Sequence, residues 1–598
     1  MDQPGFNTRV STLEEWSPAT GEREEQKYER SRPLAGQPEN EASSLQDYKR
    51  WLRKFEASRG RKLRVLHIGN IANNGYLVAK FLRQVGIEAD VLCYDYYHVM
   101  GTPEWEDIPI KHDYGDDFRP RFSREDIGNY KRPRWFASGP VSLCVNYLLA
   151  LREKDQERCD HLWDALERAR LAQHPAKADI QGASDDAAGL WRFLRSFPRE
   201  AAVFATMLPY RLLRIVGRVV NRGLRAFGLH QEAAVFVGWT QRLLLVQKLL
   251  SLTVIARAIA ETGFFDLDRL QKLKRDFAAL FPNRMDQLYL SDFMPYLGTM
   301  APLEKLFEKY EIVQAYATDP ILPLVCKKRP FVAFEHGTLR DFIRENNPLH
   351  RLTALAYRKA DHVFITNGDC LEHAHWLGCK NATPMLHPID VHQHRQRDET
   401  AIANLRRQYG ADVLLFCPIR HDWAIKGTDV HIRALPEIRK RVAGDVVLVL
   451  APWGLQVGES KRLIRSLACE SSVAWLERPL CRSELILHMQ AADVVLDQMT
   501  LPHFGATAPQ ALSAGTPVIM SYKEESTAWI VDEPAPILAA FSPEGVANAV
   551  VTALDPRWRT EFASRARAWV DTQHHSDRMV RDHLAVYRRL LEESDVAG

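Results

Sequence analysis

The stretch from Phe416 to Ile519 constrains this chain most, because three short signals stand in it in a fixed order. An apolar run of buried-strand character, Val413-Leu414-Leu415-Phe416, opens into Pro418-Ile419-Arg420-His421-Asp422-Trp423-Ala424-Ile425-Lys426-Gly427-Thr428-Asp429. A second strand runs into Ala451-Pro452-Trp453-Gly454, and His503-Phe504-Gly505 then leads through Gln510 to Gly515-Thr516-Pro517-Val518-Ile519. The first signal puts two cations at a strand's carboxyl end, the edge where open parallel sheets hold ligands. Arg420 offers a planar fork for phosphate oxygens and Lys426 a mobile point charge. In the third signal a helix is expected from about Gly505 to Ala514, stopped by Gly515 with Pro517 beyond it. A helix amino terminus at Gly505 leaves N–H groups unpaired, and such an end favours anions. Cations and amides together outline a diphosphate site. The plainer alternative, two solvated cations in a βα loop, does not account for the signals around them.

This order resembles the nucleotide-sugar domain of the GT-B glycosyltransferases, glycosyltransferase family 4 in particular. There a strand, an Arg, a Lys-Gly-x-Asp helix start, a strand ending in Gly-x-Gly and a helix of the form E-G-F-G-x-x-x-x-E-A-x-A-x-G-x-P-V-I follow one another. Lys426-Gly427-Thr428-Asp429 and the run from Phe504-Gly505 to Pro517-Val518-Ile519 carry the match. Pro502 stands where the family has its first Glu, and Gln510 where it has the second.

The resemblance implies an α/β GT-B fold: two Rossmann-like βα domains facing a cleft, with a large helical insertion in the first. It implies transfer of a sugar from a nucleotide-diphosphate sugar to an unidentified acceptor, with retention of configuration and with no metal or other cofactor. Arg420 and Lys426 would stabilise the departing diphosphate, and His336, after the strand Pro330 to Phe334, would lie against the sugar. Substrate contacts are expected from Gly69, Asn74, Gly75, Trp453, Gly454, Phe504, Gly505, Ala506 and Gln510. Asp497 or His503 is expected to replace the carboxylate missing at Pro502. The other reading is a decayed protein that binds a sugar nucleotide or glycan without turnover, which the loss of both Glu residues would favour.

The rest of the chain fits around that core. At 598 residues it is too long for one hydrophobic core. Residues 1–50 read as a disordered polar tail with no signal peptide. Residues 60–395 read as the first βα domain (acceptor side), opened by the strand Arg64 to Ile68 and the turn Gly69 to Tyr76, with a helical insertion at about 140–285. Residues 396–575 read as the donor domain, and 576–598 as a helix crossing back to the first. The turn after Ile68 is not the G-x-G-x-x-G fingerprint, so a nicotinamide or flavin enzyme is a poor fit.

With 79 Lys and Arg against 76 Asp and Glu, no bulk attraction to nucleic acid follows. The nine cysteines form no C-x-x-C pair, which points to a reducing, cytoplasmic setting, and the histidines between 373 and 394 fit no zinc spacing. Within the insertion, Arg211, Arg214, Arg218, Arg222 and Arg225 recur at helical spacing amid apolar runs. Residues 201–260 therefore suit either an anionic membrane surface, placing the protein peripherally on its inner face, or a packed helical hairpin with a solvated Arg face. The acceptor remains open among a glycan, a lipid-linked sugar and a small molecule.

Overall fold

Apolar runs of four to six residues, each followed by a polar turn and a helix-period segment, form two separate parallel sheets. The computed structural model of the chain describes residues 44–94, 98–110, 115–116, 119–120, 127–172, 266–341, 343, 345–379 and 381–597. Most of the expected polar tail and the basic stretch 201–260 lie outside the described residues. The tail ends earlier than Arg50, since a helix Leu45–Arg59 starts on a capping box formed by Ser44 and Asp47.

The first sheet holds β1 (Arg64–Ile68), β2 (Glu88–Cys93), β5 (Phe136–Ser138), β6 (Ile312–Tyr316), β7 (Phe331–Phe334), β8 (His362–Ile365) and β9 (Ala382–Pro384), in the order β5-β2-β1-β6-β7-β8-β9. β3 (Gly115–Asp116) and β4 (Arg119–Pro120) pair apart from it as a small antiparallel ribbon. The second sheet holds β10 (Val413–Cys417), β11 (Val446–Leu450), β12 (Val473–Trp475), β13 (Val494–Leu496), β14 (Val518–Met520) and β15 (Leu538–Ala539), in the order β12-β11-β10-β13-β14-β15. Every pairing within these two sheets is parallel. Such strands are covered on both faces, which is why they read as unbroken apolar runs. The last strand of the first sheet is Ala382–Pro384, ending at Pro384, which like Pro388 beyond it lacks the N–H a ladder needs.

Of the insertion, helices Val141–Glu153, Gln156–Ala172 and Leu267–Leu280 are described, and they supply Tyr147, Leu148 and Phe277 to one core of the first domain. The core on the sheet's other face draws on both ends of the described chain: Tyr48 and Leu52 from the first helix, and Met579, Leu584, Tyr587 and Leu590 from the helix Ser576–Ala597. Two further cores flank the second sheet. Away from the strand ends, the helix Pro103–Asp107 docks on the helix Arg482–Ala491: Arg482 pairs with the buried Glu106 at 3.0 Å, and Trp105 and Ile110 pack with Cys481. No helix among the described residues is long and apolar enough to cross a membrane.

Candidate functional site

The carboxyl ends of β10, β11 and β13 carry the second domain's share of the site. The loop after β10 is braced by both neighbours: His421 N–H donates to the Trp453 carbonyl at 2.8 Å, the Trp453 indole to the Pro418 carbonyl at 3.1 Å, and Met499 N–H to the Lys426 carbonyl at 2.8 Å. Gly454 has φ +111°, and a Cβ there would fall 2.5 Å from the His421 nitrogen, so only glycine allows the two loops to meet. Trp453 and Gly454 thus hold the backbone beside Arg420, with Gly454 itself exposed at the strand end.

Lys426 Nζ donates to Gln498 Oε1 at 2.6 Å, and the Gln498 amide donates to the carbonyls of Leu501 and His503. Burial lowers the pKa of Lys426; the fields of Arg420 and Arg340 push the same way, against the opposing charge of Asp497. Asp497, buried at the end of β13, is shifted up by burial in spite of Lys426 and of the Gln498 and Ala508 amides. Arg420 pairs with Asp422 at 3.2 Å, and its Nε is buried with no hydrogen-bond partner among the described residues. Both cations thus stand at one strand edge with donor capacity left over.

The helix after His503 spans Thr507–Ala514 and starts two residues later than expected, with Ala506 at the N-cap and no side-chain cap. The N-cap side chain bonds none of its first amides, and that of Ala508 is met by the Asp497 carboxylate. Nothing lies within 4 Å of a Cβ placed on Gly505, so the approach to that end is open. Gln510 lies buried on this helix. The ring of Phe504 does not face the opening. It packs against Tyr522, Trp569 and His574, which leaves only its backbone to meet a substrate.

The first domain's share lies after β7 and β8. His336 stacks on Phe334, Tyr316 and His387 at 5.1, 5.7 and 5.9 Å, and its Nε2 is buried without a partner among the described residues. Burial, with His387 beside it, holds its pKa well below the usual histidine range, so the ring is neutral. Behind it Glu335 is fully buried, takes bonds from Asn367 and Thr366, and is shifted up by burial. Arg340 grips Asp369 with both arms of its fork, at 2.6 and 2.9 Å. Asp369 Oδ1 is also 3.3 Å from Nε2 of His503, whose pKa burial lowers, so a polar contact joins the two domains.

The loop after β1 is closely packed. Gly75 lies in the first turn of a helix Asn74–Gln84, where a Cβ would strike the Gly69 carbonyl, and a Cβ on Gly69 would fall 2.5 Å from Asp319. Both glycines serve the loop's own packing, since their open sides meet protein. Asn74 does reach the shared region, its Oδ1 lying 3.4 Å from His387. Lys426, Gln498, Asp497 and His503 are brought together in the second domain and His336 faces His387 in the first, while the Phe504 ring is packed away from them. Arg340, Asp369, Gln498 and His387 were not singled out by motif; their common signal is a polar residue within a few positions of a strand's carboxyl end.

Residues 411–556 match the family model of glycosyl transferases group 1. The matched residues span all six strands of the second sheet, β10 to β15. With the first, seven-stranded sheet, the chain carries two parallel βα sheets, the layout that the resemblance implies. Comparison with curated proteins gives no match. Among solved structures, Anabaena HepE in complex with UDP-glucose is 20% identical over 50% of this chain and 82% of its own, with a TM-score of 0.39. Sucrose-phosphate synthase from Thermosynechococcus elongatus is 15% identical over 50% of this chain and 79% of its own, with a TM-score of 0.40. A UDP-forming trehalose-phosphate synthase from Burkholderia xenovorans is 14% identical over 54% and 86%, with a TM-score of 0.39.

Proposed function

We propose that the chain transfers a sugar from a nucleoside-diphosphate sugar to an acceptor hydroxyl, using its own cations in place of a metal. The observation that carries this is Lys426: a half-buried ammonium held at 2.6 Å by Gln498, beside Arg420 and the start of the helix Thr507–Ala514, within the stretch that matches glycosyl transferases group 1. As the bond to the sugar breaks, negative charge grows on the departing diphosphate. Fixed cations and N–H donors at that point lower the barrier without reorganising. Neutral His336, on the opposite wall with a free Nε2, is suited to bond a hydroxyl of the transferred sugar. Gln510 keeps a donor and an acceptor for the ribose. Retention of configuration, a cytoplasmic setting and an acceptor that is a glycan, a lipid-linked sugar or a small molecule belong to the same proposal.

The test is release of sugar from UDP-glucose, GDP-mannose and ADP-glucose by the purified chain. Lys426→Ala and Arg420→Ala are each expected to slow that release by roughly 100- to 1,000-fold with the circular dichroism unchanged. Equal turnover in the double variant would overturn the reading. A second reading, binding without turnover, draws on Pro502, which brings no carboxylate, and on the upward shift of Asp497. It predicts tight nucleotide binding with no sugar release in any of the three assays.

A further inference from the structure

A transferred sugar presents several hydroxyl donors, and a site of cations and amides gives them nothing to bond. Acceptors are therefore what the second domain lacks. Pro502 has neither a polar side chain nor an N–H. Asp497 is only 2% exposed and bonds the Gln498 amide at 2.8 Å through one oxygen, Asp422 is spent on Arg420 and on the Ile425 amide at 3.1 Å, and in the first domain Glu335 is fully buried.

Resting on the transferase reading, we propose that Asp369 is the sugar-binding carboxylate of this site, delivered across the cleft by the first domain. Four features place it there. It stands at the N-cap of the helix Cys370–Leu377 without capping it, so its oxygens are not used by its own helix. Its side chain is 27% exposed, unlike the buried acids around it. Arg340 fixes both oxygens, and the Arg340 guanidinium would lie 3.1 Å from a Cβ on Gly337, directly beside His336. The fourth feature is the loop's seat: a Cβ on Gly368 would fall 2.5 Å from the Ser526 carbonyl, so the backbone of one domain lies flat on that of the other. Ser526 in turn donates to the carbonyl of Pro502, as does Lys523 N–H at 3.1 Å. The opposite domain thus sets a carboxylate beside residue 502. With Arg340 and His503 bonded, a carboxylate with about four lone-pair sites still has one free for a hydroxyl.

The experiment compares binding of UDP, GDP and ADP with binding and turnover of UDP-glucose, UDP-galactose, GDP-mannose and ADP-glucose in the full chain, its Asp369→Asn variant and its Asp369→Glu variant. Asp369→Asn is expected to bind the free diphosphates as the parent does, to lose roughly 10- to 100-fold in kcat/KM for the sugar nucleotide used, and to discriminate less between UDP-glucose and UDP-galactose. Asp369→Glu, which keeps the charge and moves it by one methylene, should recover part of kcat and shift the choice between epimers. An interdomain clasp with no contact to sugar would weaken free diphosphate and sugar nucleotide alike, and that result overturns the proposal; so do unchanged kinetics in Asp369→Asn. If the parent itself binds no diphosphate and releases no sugar, the transferase reading falls and this inference with it.

Discussion

Lys426 shows what the proposed diphosphate would do for a single side chain. Burial and the neighbouring guanidinium groups of Arg420 and Arg340 make its positive charge costly, and a diphosphate would relieve that cost by bringing opposite charge into the same space. A second consequence is geometric. Gln498 receives a compact ammonium at 2.6 Å, and a planar fork of larger size does not fit the same seat. Lys426→Arg is therefore expected to fold normally and still lose at least about 10-fold in turnover, checked by sugar release beside circular dichroism. Both cations were legible in the sequence because a strand and a helix start flank them at fixed spacing. Asp369 and Arg340 were not, because their partnership joins loops after β7 and β8, and its second contact, His503, comes from the other domain.

Among the elements, the loops at strand ends decide the geometry more than the strands do. The longer strands are legible in the sequence, since a parallel strand buried on both faces writes itself as an apolar run, while the short β5, β12 and β15 are not. Loop packing was less legible: Gly69 and Gly75 looked like a ligand-facing turn, yet their missing side chains make room for Asp319 and for the loop's own carbonyl. Spacing alone does not say which neighbour a glycine yields to. Gly454 is the informative counter-case, because the space it leaves is filled by the backbone beside Arg420. Gly454→Ala must leave φ +111° or push the Arg420 loop aside, at a cost of about 1–3 kcal/mol. Thermal melting should show that loss, and affinity for UDP, GDP or ADP should fall with it, whereas Gly505→Ala, facing open space, should melt as the parent does.

Across the whole molecule, buried histidines set an acid limit. Burial depresses His67, His362 and His574 to about 3, and His387, His394, His421, His431 and His583 to about 4, against an ordinary value of 6.5. Below pH 6.5 the unfolded chain binds protons that the native chain refuses, so unfolding takes protons up and stability falls as pH drops from 6.5 towards 4. Urea titrations at pH 7, 6 and 5 should show a steep loss. His574→Phe, packed against Phe504 and Trp569, should flatten that slope by about 1.4 kcal/mol per pH unit. A pH-independent midpoint would contradict this account.

The helix Ser576–Ala597 lies at the far end of the polypeptide, yet Leu584, Tyr587 and Leu590 fill the core under β1, β2 and β6. Leu584→Ala should therefore cost about 2–5 kcal/mol in the domain farthest from it along the chain. During synthesis, which runs from amino to carboxyl end, the leading domain must wait on the ribosome with its floor open while the trailing one is being made. A nascent chain stalled at residue 570 should thus expose the early strands to protease, and those emerging strands are natural clients for a chaperone.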